Sequence, residues 1–237
     1  LKPEHLLRPT DDIGILQHAT FTSPNRAYGY CTDDNARALI FATLARELMP
    51  DDPCLPALAT RYLSFVSDAF RPEAGTFRNL LGDDRRWVEH EGPNDCSGRA
   101  VWALGIVAAV SQDESQRRAA QDLLERALPL VESLKDLRPI AFALLGIDAY
   151  LQGEGESASA SLIRQLLSKR LVSSWRENAT KDWPWPQDFL TYANARLAHA
   201  LLAAGHALGD EAIVHEAMHS LDRLVKVHTE ADDFVPL

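Results

Sequence analysis

Residues 100–110 read AVWALGIVAAV and residues 139–151 read PIAFALLGIDAYL. Neither stretch has a polar face. A helix that is apolar or small almost all the way round has to be enclosed by other elements. Residues 34–48 and 189–207 have the same character, as do the fuller segments 97–110 and 138–151. Between them lie segments of another kind: 55–70, 114–134, 158–174 and 210–228. In the last of these, Ile213, Val214, Ala217, Met218, Leu221, Leu224 and Val225 fall at helical spacing, while Glu216, Asp222 and Lys226 point away. Enclosed and amphipathic helices therefore alternate along the chain. A two-layer ring of helical hairpins requires that alternation, whereas a plain bundle would make all helices alike.

The predicted fold is therefore all-α, an (α/α) toroid in which enclosed helices form the inner layer and amphipathic helices the outer one. It reads as one domain over residues 1–237, with four hairpins. Four hairpins leave such a ring open, and the chain ends at ADDFVPL just after an outer helix. This predicts an incomplete ring, cut short at the C-terminus, with bare apolar surface on an edge hairpin.

Connections sharpen the picture. Inner-to-outer links are short: PDDPC, SQD, QGEGES and GD. Outer-to-inner links are long, namely 71–96 and 175–188, together with the lead-in 1–33. All long segments should then gather on one rim, where function tends to reside. Within that rim, GTFRNLL-GDD-RRWVEH (75–90) reads as a short β-hairpin. Residues 135–137 form the one short crossing on the same side, and the sequence offers no reason for it.

The candidate site follows from helix beginnings. DDNARAL (33–39), DCSGRAV (95–101) and NARLA (194–198) each place a small residue and an Arg before an apolar run. Asp33 or Asp34 can cap a helix and be stabilised by its dipole, with Arg37 one turn on holding a carboxylate. A cap with an ion pair is a purely structural reading of one such motif. Convergence of Asp33, Asp34, Asp95 and Asp188 on one rim favours a functional one. Glycoside hydrolysis needs one protonated and one ionised carboxyl across a bond. Asp34 or Asp33 with Asp95 is the expected acid/base pair, and Glu89 and Asp188 are further candidates.

Ligand contacts are expected from Gln17, His18, Asn25, Tyr30, Arg37, Arg99, Trp87, Trp185, Tyr192, Asn194 and Arg196. Aromatic faces stack on sugar C–H surfaces, and amides and guanidiniums take hydroxyls. The same tryptophans can equally anchor loops in the core, and Trp102 inside an enclosed helix reads as core. His18 is also a candidate general base. His215 and His219 stand four apart without a carboxylate partner, so no metal site is expected. No glycine-rich phosphate loop or GxSxG motif occurs, and no cofactor is expected.

Bulk properties narrow the partners. The formal charge of −10 disfavours nucleic acid and anionic lipid, and suits a neutral ligand such as a sugar. No apolar run is long enough to span a membrane. Three cysteines without metal spacing suit a reducing, cytoplasmic setting.

The blocks HLLRPTDDIGILQHATFTSPNRAYGYCTDDNARALI, DRRWVEHEGPNDCSGRAVWALG, RPIAFALLGIDAYL and DWPWPQDFLTYANARLAHALL resemble a bacterial family of six-hairpin, (α/α)6-barrel glycosidase-like proteins. Its members are often encoded with, or labelled as, glycosyltransferases. The resemblance spans essentially the whole chain. It implies a carbohydrate-active fold, a carbohydrate ligand and a glycosyltransferase as a partner. That family continues for two further hairpins not found in these residues. The chain departs from its pattern at Ser97, Gln187 and Ala193, where relatives carry His, Glu and Asp. Three readings result: a glycoside hydrolase, a sugar epimerase or isomerase on the same architecture, and a non-catalytic carbohydrate-binding or scaffold module.

Overall fold

The computed structural model describes residues 3–153, 156–230 and 233–235. Nine α-helices occur among them: α1 Glu4–Leu7, α2 Thr32–Leu48, α3 Cys54–Ala69, α4 Asn94–Val110, α5 Glu114–Ser133, α6 Leu137–Gln152, α7 Ala158–Asn178, α8 Asn194–Leu208 and α9 Glu211–Val227. After the short α1, they form the pairs α2/α3, α4/α5, α6/α7 and α8/α9. The first member of each pair packs on the next, α2 on α4, α4 on α6 and α6 on α8. The second members cover the outside. This is the all-α helical toroid predicted from the alternation, and it is open between α2 and α8.

Burial follows position in the ring. The central inner helices α4 and α6 are enclosed along nearly their whole length. They approach so closely that a Cβ on Gly105 would collide with the Gly146 carbonyl oxygen, and one on Gly146 would lie 2.5 Å from the Trp102 Cα. Only glycine permits that contact. Trp102 and Phe142 then stack across the same interface at 5.8 Å. The edge helices differ. On α2, Leu44 and Leu48 are exposed, and on α9 Met218 and Val225 are exposed. A cleft of about 1010 Å³ separates the two edges, lined by Ile40, Phe41, Leu44, Leu48, Leu221 and Val225 among others. Exposed apolar side chains of α2 and α9 face this cleft.

Boundaries shift for local reasons. The inner helix expected from 189 begins at Asn194, because Ala193 takes a left-handed conformation (φ 52°) and residues before it form an irregular loop. α7 continues to Asn178 rather than 174. The expected link QGEGES includes residues 154–155, and the terminal ADDFVPL includes 231–232 and 236–237, which lie outside the described residues.

The small strands all serve the rim or the chain end. β1 (Ala19–Thr20) pairs with β2 (Ser23–Pro24), β3 (Tyr30–Cys31) with β6 (Leu80–Leu81), β4 (Phe70–Arg71) with β5 (Thr76–Phe77), and β7 (Thr229–Glu230) with β8 (Asp233–Phe234). The predicted hairpin in 75–90 survives at its tip, where Leu81 bridges Trp87 and the Gly82 N–H donates to the Arg86 carbonyl. The first arm also pairs elsewhere, its beginning (β5) with β4 and its end (β6) with β3. The pairing of β3 with β6 ties the rim to the start of α2.

Candidate functional site

The start of α2 is held on three sides. Cys31, at the end of β3, is its N-cap: its sulfur accepts from the Asp34 N–H at 3.3 Å, and its thiol donates to Asp34 Oδ2 at 3.0 Å. The helix starts two residues earlier than Asp33 and Asp34 suggest. Neither aspartate is the cap; both stand in the first turn, where the helix dipole still favours a carboxylate. From the rim, the Asn79 carbonyl accepts from the Thr32 N–H at 2.8 Å and Asn79 Oδ1 from the Asp33 N–H at 3.3 Å. From below, buried Asn35 receives the Ile15 N–H at 3.0 Å and donates to the Cys31 carbonyl at 2.9 Å, which pins the lead-in.

This scaffold aims Asp33 and Asp34 at the beginning of α4. Arg37 lies 3.1 Å from Asp33 Oδ2 and also contacts Asp34 Oδ1. Arg99, almost buried, lies 2.5 Å from Asp33 Oδ1 and 3.9 Å from Asp95 Oδ2. Among the described residues neither Arg99 Nε nor Asp33 Oδ1 makes an aligned hydrogen bond, so the pairing is a contact of charges rather than a directed bond. Arg99 is fixed from behind, its guanidinium 4.2 Å over the Phe142 ring. Asp95 accepts from the Tyr192 hydroxyl at 2.7 Å.

Asp33, Asp34 and Asp95 line one cavity of about 490 Å³ with Arg37, Arg99, Tyr192, Gln17 and His18. Gln17 Oε1 is buried without a hydrogen-bond partner among the described residues. Burial raises the Asp33 carboxyl above its ordinary value; Arg99 and Arg37 oppose the shift, and Asp34 and Asp95 reinforce it. Three carboxylates on two guanidiniums thus leave one carboxyl that holds its proton more tightly than usual. The Tyr192 phenol is pushed up to about 12, first by burial and then by its bond to Asp95. The Cys96 thiol, in the same wall, is pushed up to about 12 by burial. It is no thiolate at neutral pH.

The other sequence candidates are dispersed. Glu89 does not line the cavity; its Oε1 accepts the backbone N–H groups of Asn79 (2.6 Å) and Leu80 (2.5 Å), two residues of the rim that do line it. Asp188 is exposed on the 179–193 loop and lines no described cavity. Trp185, expected on the ligand surface, is corrected to core: it is 2 % exposed and packs edge-on against Trp175 at 5.7 Å. Tyr30 is likewise buried, with its hydroxyl on Asp11 Oδ2 at 2.6 Å. Asn25 caps a 3₁₀ turn, accepting from the Ala27 N–H at 3.1 Å. Trp87 bonds Asp68 at 3.2 Å and carries Arg78 over its ring. Asn194 and Arg196 line the open cleft, Arg196 lying 4.7 Å over Trp102.

Arg138 is a functional candidate that the repeat did not reveal. Buried at the start of α6, it donates to the Tyr192 carbonyl (2.7 Å), Gln187 Oε1 (2.7 Å) and Asn194 Oδ1 (3.2 Å). It thereby sets the loop that carries Tyr192. A signal was present: like Arg37, Arg99 and Arg196, it stands near an inner-helix start, but without the small residue that marks the others.

No protein-family model matches this chain, and no curated protein matches it. Its fold does match a solved structure, a sugar epimerase from a ruminal bacterium, with TM-score 0.72 and 13% identity over 94% of this chain and 68% of that one. At that identity the likeness establishes the shared helical toroid. No helix of the described residues is long and apolar enough to cross a membrane.

Proposed function

We propose that this chain is a carbohydrate-processing domain whose reacting centre is the cavity between the starts of α2 and α4. One observation carries the reading: Asp33, Asp34 and Asp95 converge with Arg37 and Arg99 on a single cavity at the inner-helix mouth. In a glycoside hydrolase, Asp33 is the general acid. Burial raises its carboxyl above the ordinary value, the direction that favours a proton donor to the leaving oxygen. Asp95, held by Tyr192, is the partner that stabilises positive charge at the anomeric carbon or activates water. Arg37 and Arg99 fix both acids and supply donors for sugar hydroxyls.

Two observations favour sugar epimerisation as the second reading. His18 lines the same cavity, where it can serve as a proton carrier. The solved structure of the same fold is itself named a sugar epimerase. Both readings take a neutral, hydroxyl-rich ligand.

The test is incubation with a panel of free sugars and glycosides in D2O. Release of new reducing ends, lost in Asp33→Asn and Asp95→Asn, supports the hydrolase. Deuterium entering a free sugar at the inverted carbon, lost in His18→Ala, supports the epimerase. Absence of both reactions, with no saccharide bound, overturns the carbohydrate reading.

A further inference from the structure

The rim is uneven. The lead-in, residues 70–93 and residues 179–193 all rise beside the mouth, but α5 passes into α6 through residues 134–136 alone. This short crossing leaves a notch in the wall. Over it lies a second hollow of about 770 Å³, and its lining shares Pro93, Asp95 and Tyr192 with the acidic cavity. The two hollows therefore meet at Tyr192, a half-exposed ring that divides them without sealing them apart. Each has the size of a small-molecule site, roughly 300–1,000 Å³.

The chemistry of the outer hollow suits uncharged hydroxyls. Its walls mix both signs of charge with amides: Asn94 Nδ2 donates to Asp136 Oδ2 at 3.2 Å, Arg138 donates to Gln187 Oε1 at 2.7 Å, and Lys135 stands beside them. A cluster of one sign would select an ion, whereas alternating donors and acceptors select a polyol. The half-exposed Tyr192 ring carries the Arg138 guanidinium 4.8 Å over one face, which holds it upright between the two hollows.

We infer that the polar hollow over residues 134–136 is a second saccharide subsite, so that the ligand is at least a disaccharide spanning Tyr192. This rests on the carbohydrate reading and extends it to a substrate class. The bond to be processed then lies near Asp95, where the two hollows meet.

Calorimetric titration with glucose, galactose and mannose, and with disaccharides made from them, tests the inference. At least one disaccharide should bind about tenfold or more tightly than its component hexoses. Asp136→Ala, at an exposed side chain, should bring that disaccharide down to the hexose level and leave hexose binding unchanged. Asp136→Trp should do the same by filling the notch. Equal binding of hexose and disaccharide overturns the second subsite and leaves the acidic cavity as a single-sugar site. Tighter disaccharide binding untouched by both variants overturns its placement. Failure of every saccharide to bind overturns this inference together with the carbohydrate reading.

Discussion

The Tyr192 hydroxyl donates to Asp95 Oδ2 at 2.7 Å, joining the loop before α8 to the first turn of α4 across 97 positions of sequence. The bond both orients a candidate reacting carboxylate and positions the partition between two hollows. Tyr192→Phe removes the donor and keeps the ring. A hydrogen bond to a charged group contributes about 1.5–3 kcal/mol, so kcat/KM should fall about tenfold or more through kcat while disaccharide affinity changes little. Equal losses with Tyr192→Phe and Tyr192→Ala in affinity alone would show that the hydroxyl has no orienting part.

Asp33 gives a pH dependence with a definite sign. Its carboxyl is raised by burial, opposed by Arg99 and Arg37 and reinforced by Asp34 and Asp95. As a general acid it must be protonated, so activity should decline as pH rises through its titration. Arg37→Gln removes an opposing cation and should move that decline to higher pH. Asp34→Asn removes a reinforcing anion and should move it lower. Rate profiles of the two variants displaced in the same direction would contradict the assignment.

Alkali should destabilise the fold through Tyr30. Burial and the bond to Asp11 push its phenol from 10.0 up to about 12. A raised folded-state value means that the folded form keeps a proton the unfolded chain has lost, so this contribution is complete below pH 10 and disappears as pH rises from 10 towards about 12. Tyr192 shifts in the same direction but is half-exposed, and solvent discounts its share. Urea midpoints measured across that window should fall for the wild type and stay flatter for Tyr30→Phe. Parallel curves would assign the alkaline loss elsewhere.

The α4–α6 contact is the most extensive helix pairing in the ring. Gly105→Ala drives a methyl into the Gly146 carbonyl oxygen, which backbone must move to relieve. Overpacking of this kind costs about 1–3 kcal/mol. Chemical denaturation should show that loss, and a variant of wild-type stability would mean that the two helices slide apart freely.

The ring is legible in the sequence because enclosure leaves a mark on composition. Residues 100–110 and 139–151 lack a polar face, and α4 and α6 are the two helices walled on all sides. The convergence of Asp33 and Asp95 is legible from their matching places at the starts of inner helices. What escapes the sequence depends on neighbours distant along the chain. Cys31 caps α2 because β3 pairs with β6, which no local pattern announces. Trp185 and Asp188 stand three positions apart in one loop, yet one is buried on Trp175 and the other is in solvent. Glu89 reads as a free acid and is consumed by two rim amides. The short crossing is visible in the sequence as an oddity at 135–137; the structure sets it at 134–136, with a hollow over it.

The most direct measurement is a crystal structure of the Asp33→Asn protein soaked with a disaccharide that binds the wild type. The sugar should lie at the starts of α2 and α4, with its glycosidic oxygen beside the side chain at position 33 and one ring on each side of Tyr192. Density for the sugar in the apolar cleft between α2 and α9, with the acidic cavity empty, would contradict the placement of the site.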